Sequence, residues 1–245
     1  MKRRSRIRIA SSEVGLFPES LTLNRRFRPD VQRIKLAVEI EWEPFGRSKA
    51  LGRLEESLVA LSPTLRQHEC FGQSGYRILR GLDGRRREAD VEVTGIELPL
   101  AVAHLLEHLM IDMVATLTGE SLISGATGAR WDSRQRFDIF VECPDVAVAP
   151  LVVRLSVSWM KAMLAGRELD GTGRPALELA QQIYAGAGRG FDPTAWARRQ
   201  RRDPHRVASA LRWLQRNGFV RREKDRVFYG VERLPARPRA ARRKA

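Results

Sequence analysis

The residues with the most chemistry to offer are His104-Leu105-Leu106-Glu107-His108, an H-x-x-E-H motif inside an apolar stretch. Two histidines four apart on a helix project from one face, about one turn apart. That spacing lets both imidazoles share one Zn²⁺ at about 2.0–2.1 Å. Glu107 lies beside them, placed to polarise a water there as general base. A third ligand has to come from elsewhere, and Glu142, Cys70 and His68 are the candidates. Asp112 continues the stripe one turn on, either orienting a ligand histidine or binding metal itself. A competing reading is a polar cluster satisfied by its own hydrogen bonds, because His and Glu in an apolar helix are costly to bury without partners.

The order His-x-x-Glu-His is also that of the inverzincin signature. A second small group, His68-Glu69-Cys70, follows Pro63. There His and Cys two apart can meet one metal or act as a nucleophile pair, or be a buried Cys beside an exposed His. Cys143, between a strand and Pro144, reads as core.

These side chains need elements to hold them. Residues 33–42 alternate and predict a strand; Ser48 to Leu61 has apolar residues at helical spacing, stopped by Pro63. Ala89 to Thr94 predicts a short strand, and Leu98 to Leu117 a long apolar helix closed by Gly119. Phe137 to Glu142 predicts another strand, and Val146 to Leu164 a second long helix closed by Gly166. The expected body is α+β: a small sheet with two long buried helices.

Charge divides the chain. Its 245 residues hold 44 Lys+Arg and 29 Asp+Glu, net +15. Residues 1–28 form a basic arm of net +6, residues 29–173 carry net −4, and residues 174–245 carry net +13. Such asymmetry marks two functions and a polyanionic partner. The organisation predicted is a basic arm over 1–28, a body over 29–166, a linker over 167–173, a basic module over 174–234 and a basic tail over 235–245. Two cysteines exclude a disulfide scaffold and a four-cysteine zinc site. No apolar run is read as approaching the roughly 20 residues of a bilayer span, so no membrane partner is expected. The basic start lacks the apolar core of a secretory signal. A cytoplasmic protein of bacterial type is the expectation.

In the basic module, Arg174-Pro175 opens a helix, Asp192-Pro193 caps a short one and Asp203-Pro204 a third, closed by Gly218. Phe219 to Gly230 reads as two short strands around a charged tip. This order resembles bacterial winged helix-turn-helix domains, whose A-L-x-x-L-x-x-x-G-x-V pattern is matched from Ala210 to Val220. The resemblance implies that the third helix enters the major groove of double-stranded DNA. His205, Arg206, Ser209, Arg212 and Arg216 then face outward, and Arg221, Arg222, Lys224 and Arg226 form the wing. The tail suits phosphate or minor-groove contact.

The body has its own likeness. Leu61-Ser62-Pro63-Thr64-Leu65-Arg66-Gln67-His68-Glu69-Cys70, then Ser74-Gly75-Tyr76, then the H-x-x-E-H helix with Asp112 a turn later, then Ser124-Gly125-Ala126-Thr127, stand in sequence. Together they resemble the N-terminal domain of cyanophycin synthetases, over about Val31 to Ala165. In some members that domain is similar to a metal-dependent hydrolase that cuts an arginine–aspartate polymer. The resemblance implies His104 and His108 as metal ligands, Glu107 as base and Asp112 as the family's acid. An arginine-rich or polymeric amide is then the expected substrate class. These 245 residues show no Gly-rich phosphate loop, so the ATP-dependent ligase activity of that family is not expected. Ser74, Tyr76, Ser124 and Gly128 depart from the family's Gly, Phe, Phe and Arg, so a different substrate is compatible with the pattern.

The function expected is a zinc-dependent hydrolase-like body coupled to a DNA-binding winged helix. The alternative is a non-catalytic transcriptional regulator whose body senses a ligand or partner. A homo-oligomer is compatible with either.

Overall fold

Over residues 33–41 and 136–142 a strand period of two puts apolar side chains on one side and the charged ones on the other. The computed structural model describes residues 6–41, 78–80, 86–88, 97–130, 132–133, 135–165, 167, 173–186, 190–224 and 226–229. In chain order these form β1 (Arg6–Gly15), β2 (Arg33–Glu41), β3 (Ile78–Arg80), β4 (Arg86–Glu88), α1 (Glu97–Thr118), β5 (Gly125–Ala129), β6 (Arg136–Glu142) and α2 (Ala149–Leu164). Then come α3 (Arg174–Ala185), α4 (Pro193–Arg199), α5 (Pro204–Arg216), β7 (Val220–Glu223) and β8 (Arg226–Tyr229).

The central sheet is antiparallel in the order β1-β2-β6-β5. Ile34 pairs with Val141, Leu36 with Ile139 and Val38 with Phe137, so all six project to one inner face and are buried. The alternate residues, Arg33 with Glu142, Lys35 with Phe140 and Ala37 with Asp138, share the outer face. The α+β class expected for the body is what the chain adopts.

α1 lies across the inner face, touching β2, β5, β6, α2 and α3. Val102, Ala103, Leu106, Leu109, Met110, Met113 and Val114 are wholly buried on it. Its end at Gly119, with φ 74, falls where the sequence places it. By length and composition Pro99–Thr118 and Val146–Leu164 are each apolar enough to cross a membrane, contrary to the sequence reading. They are 72% and 61% buried inside the protein, and core packing accounts for that apolarity. The second of these begins as a 3-10 turn, Val146–Val148, whose N-cap Asp145 accepts from the Ala147 backbone N–H at 3.1 Å.

Residues 1–28, read as a basic arm, contribute β1, an edge strand of the sheet. The chain between β1 and β2 then covers part of the outer face: Phe17 meets the Phe140 ring edge-on at 6.0 Å between centroids. Arg33, wholly buried, donates to the Leu16 and Arg28 carbonyls and lies over the Phe27 ring at 4.8 Å.

In the basic module, Asp192 accepts from the Thr194 and Ala195 backbone N–H groups and Asp203 from that of His205, so both predicted caps form. α3 packs on α1 and on α5. β7 and β8 pair antiparallel, and Phe191 bridges to Val227 beside them. One hydrophobic cluster runs from Ile7 through α1 to Val227. The helix predicted over Ser48 to Leu61, the strand over Ala89 to Thr94, most of the 167–173 linker and the 235–245 tail lie outside the described residues.

Candidate metal centre and basic face

α1 brings the motif together as its spacing requires. The Nε2 atoms of His104 and His108 stand 3.1 Å apart, with ring centroids at 4.4 Å and planes at 73°. Two nitrogens bound to one tetrahedral zinc at 2.0–2.1 Å are about 3.4 Å apart. The observed pair is therefore close to a chelating geometry before any adjustment. Ligand atoms of His104, Glu107 and His108 all lie within 4.8 Å of one another. A His-Glu-His group able to hold a metal thus exists.

Glu107 is held from two sides. Its Oε2 accepts from the Thr127 hydroxyl at 2.5 Å and lies 3.3 Å from His104 Nδ1. Among the described residues no hydrogen bond falls on Oε1. β5 supplies Thr127 because Gly125 and Thr127 pair with Val141 and Ile139, both inner-face residues. The approach is close: a Cβ on Gly125 would come within 2.7 Å of Glu107 Oε1 and of Ile111 Cδ1. Only glycine lets β5 lie this near the helix. Glu107 and His108 are buried, whereas the His104 side chain is 38% exposed. The group therefore opens to solvent on the His104 side.

Thr127 was absent from the residues picked for chemistry. Its signal was the Ser124-Gly125-Ala126-Thr127 stretch, which entered only as part of the family likeness. The stretch enters a strand, and the small residues before Thr127 allow contact with α1.

Glu142 does not join the group. It ends β6 one residue after Val141, so the period of two turns it to the outer face, away from α1. There its carboxylate accepts from the Arg28 backbone N–H at 2.7 Å, from Arg28 Nε and Nη2 at 3.2 and 2.9 Å, and from the Ser124 N–H at 3.3 Å. These donors engage both oxygens on the face away from α1, which corrects the expectation of a third metal ligand. Asp112 is buried and stands outside the trio, 4.0 Å from Arg174 Nη1 where α1 meets α3. His68 and Cys70 lie outside the described residues. Cys143 is core, as expected: burial pushes its thiol up to about 12, and it donates to the Asp145 carbonyl at 3.2 Å.

No family model, curated protein or solved structure matches this chain.

The basic face has a different construction. Val207, Ala210, Leu211 and Leu214 bury one side of α5. His205, Arg206, Arg212 and Arg216 are exposed on the helix and Ser209 is half-buried. Arg221, Arg222, Lys224 and Arg226 are exposed on the hairpin, with Lys224 at φ 53 in its tip. Some contacts are internal: Arg206 to Asp203 at 3.9 Å and Arg221 to Glu223 at 3.5 Å. Arg198, Arg199 and Arg201, not picked from the sequence, are exposed just before α5. The run Arg198-Arg199-Gln200-Arg201-Arg202 was their signal. Arg202 is drawn back by Glu178 at 2.7 Å.

Proposed function

We propose that His104 and His108 hold a zinc ion, and that the chain is a metal-dependent amide hydrolase coupled to a DNA-binding winged helix. The observation that carries the reading is the 3.1 Å separation of the two Nε2 atoms beside Glu107, in a group open on one side. Catalytic zinc sites keep such an open position. Zinc, when bound, supplies a Lewis acid that polarises a carbonyl and activates water near neutral pH. The chain's own residues do the rest. Thr127 and His104 Nδ1 fix Glu107 through Oε2, leaving Oε1 to take a proton from water as general base. The same contact of Glu107 on Nδ1 orients the His104 ring so that Nε2 faces His108. The substrate class follows the resemblance to the N-terminal domain of cyanophycin synthetases: an arginine-rich or polymeric amide.

For the basic module, support comes from three helices followed by an antiparallel hairpin, with exposed arginines on the third helix and on the hairpin. Phosphates would meet the hairpin and base edges the α5 arginines.

Elemental analysis of protein prepared without chelators should find about one zinc per chain, lost in His104→Ala/His108→Ala. Glu107→Gln should retain zinc and fold while lowering cleavage of arginine-rich polymers by about 10²–10⁴-fold. Wild-type protein without stoichiometric metal overturns the metal reading. Zinc without cleavage, together with DNA binding, points to the non-catalytic regulator. DNA binding is read on the full chain, since α3 packs on α1. Affinity for duplex should fall with salt by about 0.9 log units per log unit for each phosphate contacted, and Arg221→Ala/Arg222→Ala should shallow that slope. Arg212→Ala should instead relax sequence preference. No binding at about 50 mM salt overturns the winged-helix reading.

A further inference from the structure

We propose that β1 is a homodimer interface, pairing antiparallel with β1 of a second copy to continue the four-stranded sheet into eight strands. β1 is the edge of the sheet, and among the described residues no strand pairs with its outer side. A ten-residue edge with unpaired N–H and C=O groups is a template for another strand. Exposed apolar side chains gather there too. Of the four large hydrophobics exposed among the described residues, Ile9 and Val14 are on β1 and Leu16 directly follows it, at 37%, 43% and 49% exposure.

The strand is complementary to itself. Its register with β2 shifts between Ile9 and Ser11, so one residue, Ala10, is extra. Before that point Ile7 and Ile9 share the inner face with Ile40 and Val38. After it, Ser12 and Val14 share that face with Leu36 and Ile34. Inner-face positions are therefore odd in the first half and even in the second. An antiparallel self-pairing that keeps faces matched must join an odd residue to an even one. The register that uses the whole strand sets Arg6 opposite Gly15, Ile7 opposite Val14, Arg8 opposite Glu13 and Ile9 opposite Ser12, with the two-fold axis between Ala10 and Ser11.

Charge supports the same register. Arg8 and Glu13 both face the outer side, beside Glu39 and Lys35 of β2. Among the described residues Glu13 has no ion-pair partner, while Arg8 holds Glu39. Self-pairing gives each Glu13 the other copy's Arg8, twice per dimer. On the inner side a groove of about 500 Å³ runs between β1 and α2, lined by Ile9, Ser12, Val153, Val157, Lys161 and Phe219. The second copy's Ile9 would stand directly opposite Ser12 on this groove. Such an isologous contact closes on itself and makes a dimer rather than a fibre.

Light scattering on the eluting full-length protein should give twice the 27.8 kDa chain mass. Val14→Lys changes a side chain already exposed and should return the mass to that of one chain with an unchanged circular dichroism spectrum. Leu122→Lys, at the exposed residue remote from β1, should leave the dimer intact. Register is read by Ile9→Cys/Ser12→Cys, which should cross-link two chains on mild oxidation, because directly opposed Cβ atoms stand about 4.5–5.5 Å apart. A monomeric wild type overturns the proposal. So does a dimer that Val14→Lys leaves unchanged and the cysteine pair fails to cross-link.

Discussion

Two polar clusters are buried on opposite faces of one sheet, and they are built differently. On the outer face Glu142 receives four hydrogen bonds from Arg28 and Ser124, one on Oε1 and three on Oε2, so both of its oxygens are engaged. On the inner face Glu107 has Oε2 engaged by Thr127 and His104, and the Nε2 atoms of His104 and His108 converge on each other. A closed cluster fixes the fold, whereas one with an unused acceptor, converging nitrogens and an opening to solvent is equipped to take something in. Charge and burial alone do not separate the two, since both glutamates are almost fully buried.

The largest effect expected from breaking this contrast is at Glu142. Glu142→Ala leaves the Arg28 guanidinium and two backbone N–H groups without their acceptor. Removing one partner of a buried ion pair costs about 3–5 kcal/mol. Arg28 is partly exposed, which favours the lower end. Zinc affinity should be unchanged, because the cluster lies across the sheet from α1. Urea midpoints together with a zinc titration check this, and a lost metal site in a folded Glu142→Ala variant would tie the two faces together. A smaller effect is expected at Thr127. Thr127→Val keeps the shape of the side chain but removes the hydroxyl that holds Glu107 Oε2. Loss of such an orienting partner typically weakens metal affinity or activity about 10–100-fold. Stability should change by only about 1 kcal/mol, the net worth of one hydrogen bond. Thr127→Ser, which restores the hydroxyl, should recover most of the affinity; a merely packing role would not distinguish Ser from Ala.

The contrast also explains what sequence could and could not reveal. The motif on α1 was legible because i, i+4 spacing is a local property of a helix, and the structure needed only to form that helix. The caps at Asp192 and Asp203 and the helix end at Gly119 were legible for the same reason. Glu142 was misassigned because its face depends on strand phase relative to Val141, and the inner face is known only when α1 is placed on it. Thr127 was missed because its role arises 20 residues away, across a contact that Gly125 makes possible. β1 was missed because Arg6, Arg8 and Glu13 made it read as a charged arm, when as an edge strand it can carry charge on its exposed side. The exposed α5 arginines were legible because a helical stripe opposite Val207, Ala210, Leu211 and Leu214 has nowhere to point but outward.

The smallest expected effect sharpens the comparison within the outer face itself. Asp138 is four residues before Glu142 on β6, so it projects to the same side and is equally buried. Yet among the described residues neither of its oxygens has a hydrogen-bond partner, and Arg130 stands 3.9 Å away. Burial pushes its carboxyl above the usual range, against the pull of Lys35 and Arg130. A carboxyl raised in the folded state favours folding where it is protonated. That contribution is full below the unfolded value, about 3.9, and is lost as pH rises through the folded value. As pH rises above that window, the unmatched buried carboxylate becomes a cost that an amide of the same shape avoids in part. Asp138→Asn should raise stability at pH 7 by about 1 kcal/mol. The gain should shrink as pH falls toward about 4, where the wild-type carboxyl increasingly holds its proton. Urea midpoints of both proteins at the two pH values measure the effect. An equal difference at both, or a wild type more stable at pH 7, would mean that the Arg130 and Lys35 charges match Asp138 as fully as Arg28 and Ser124 match Glu142, and the contrast within the outer face would vanish.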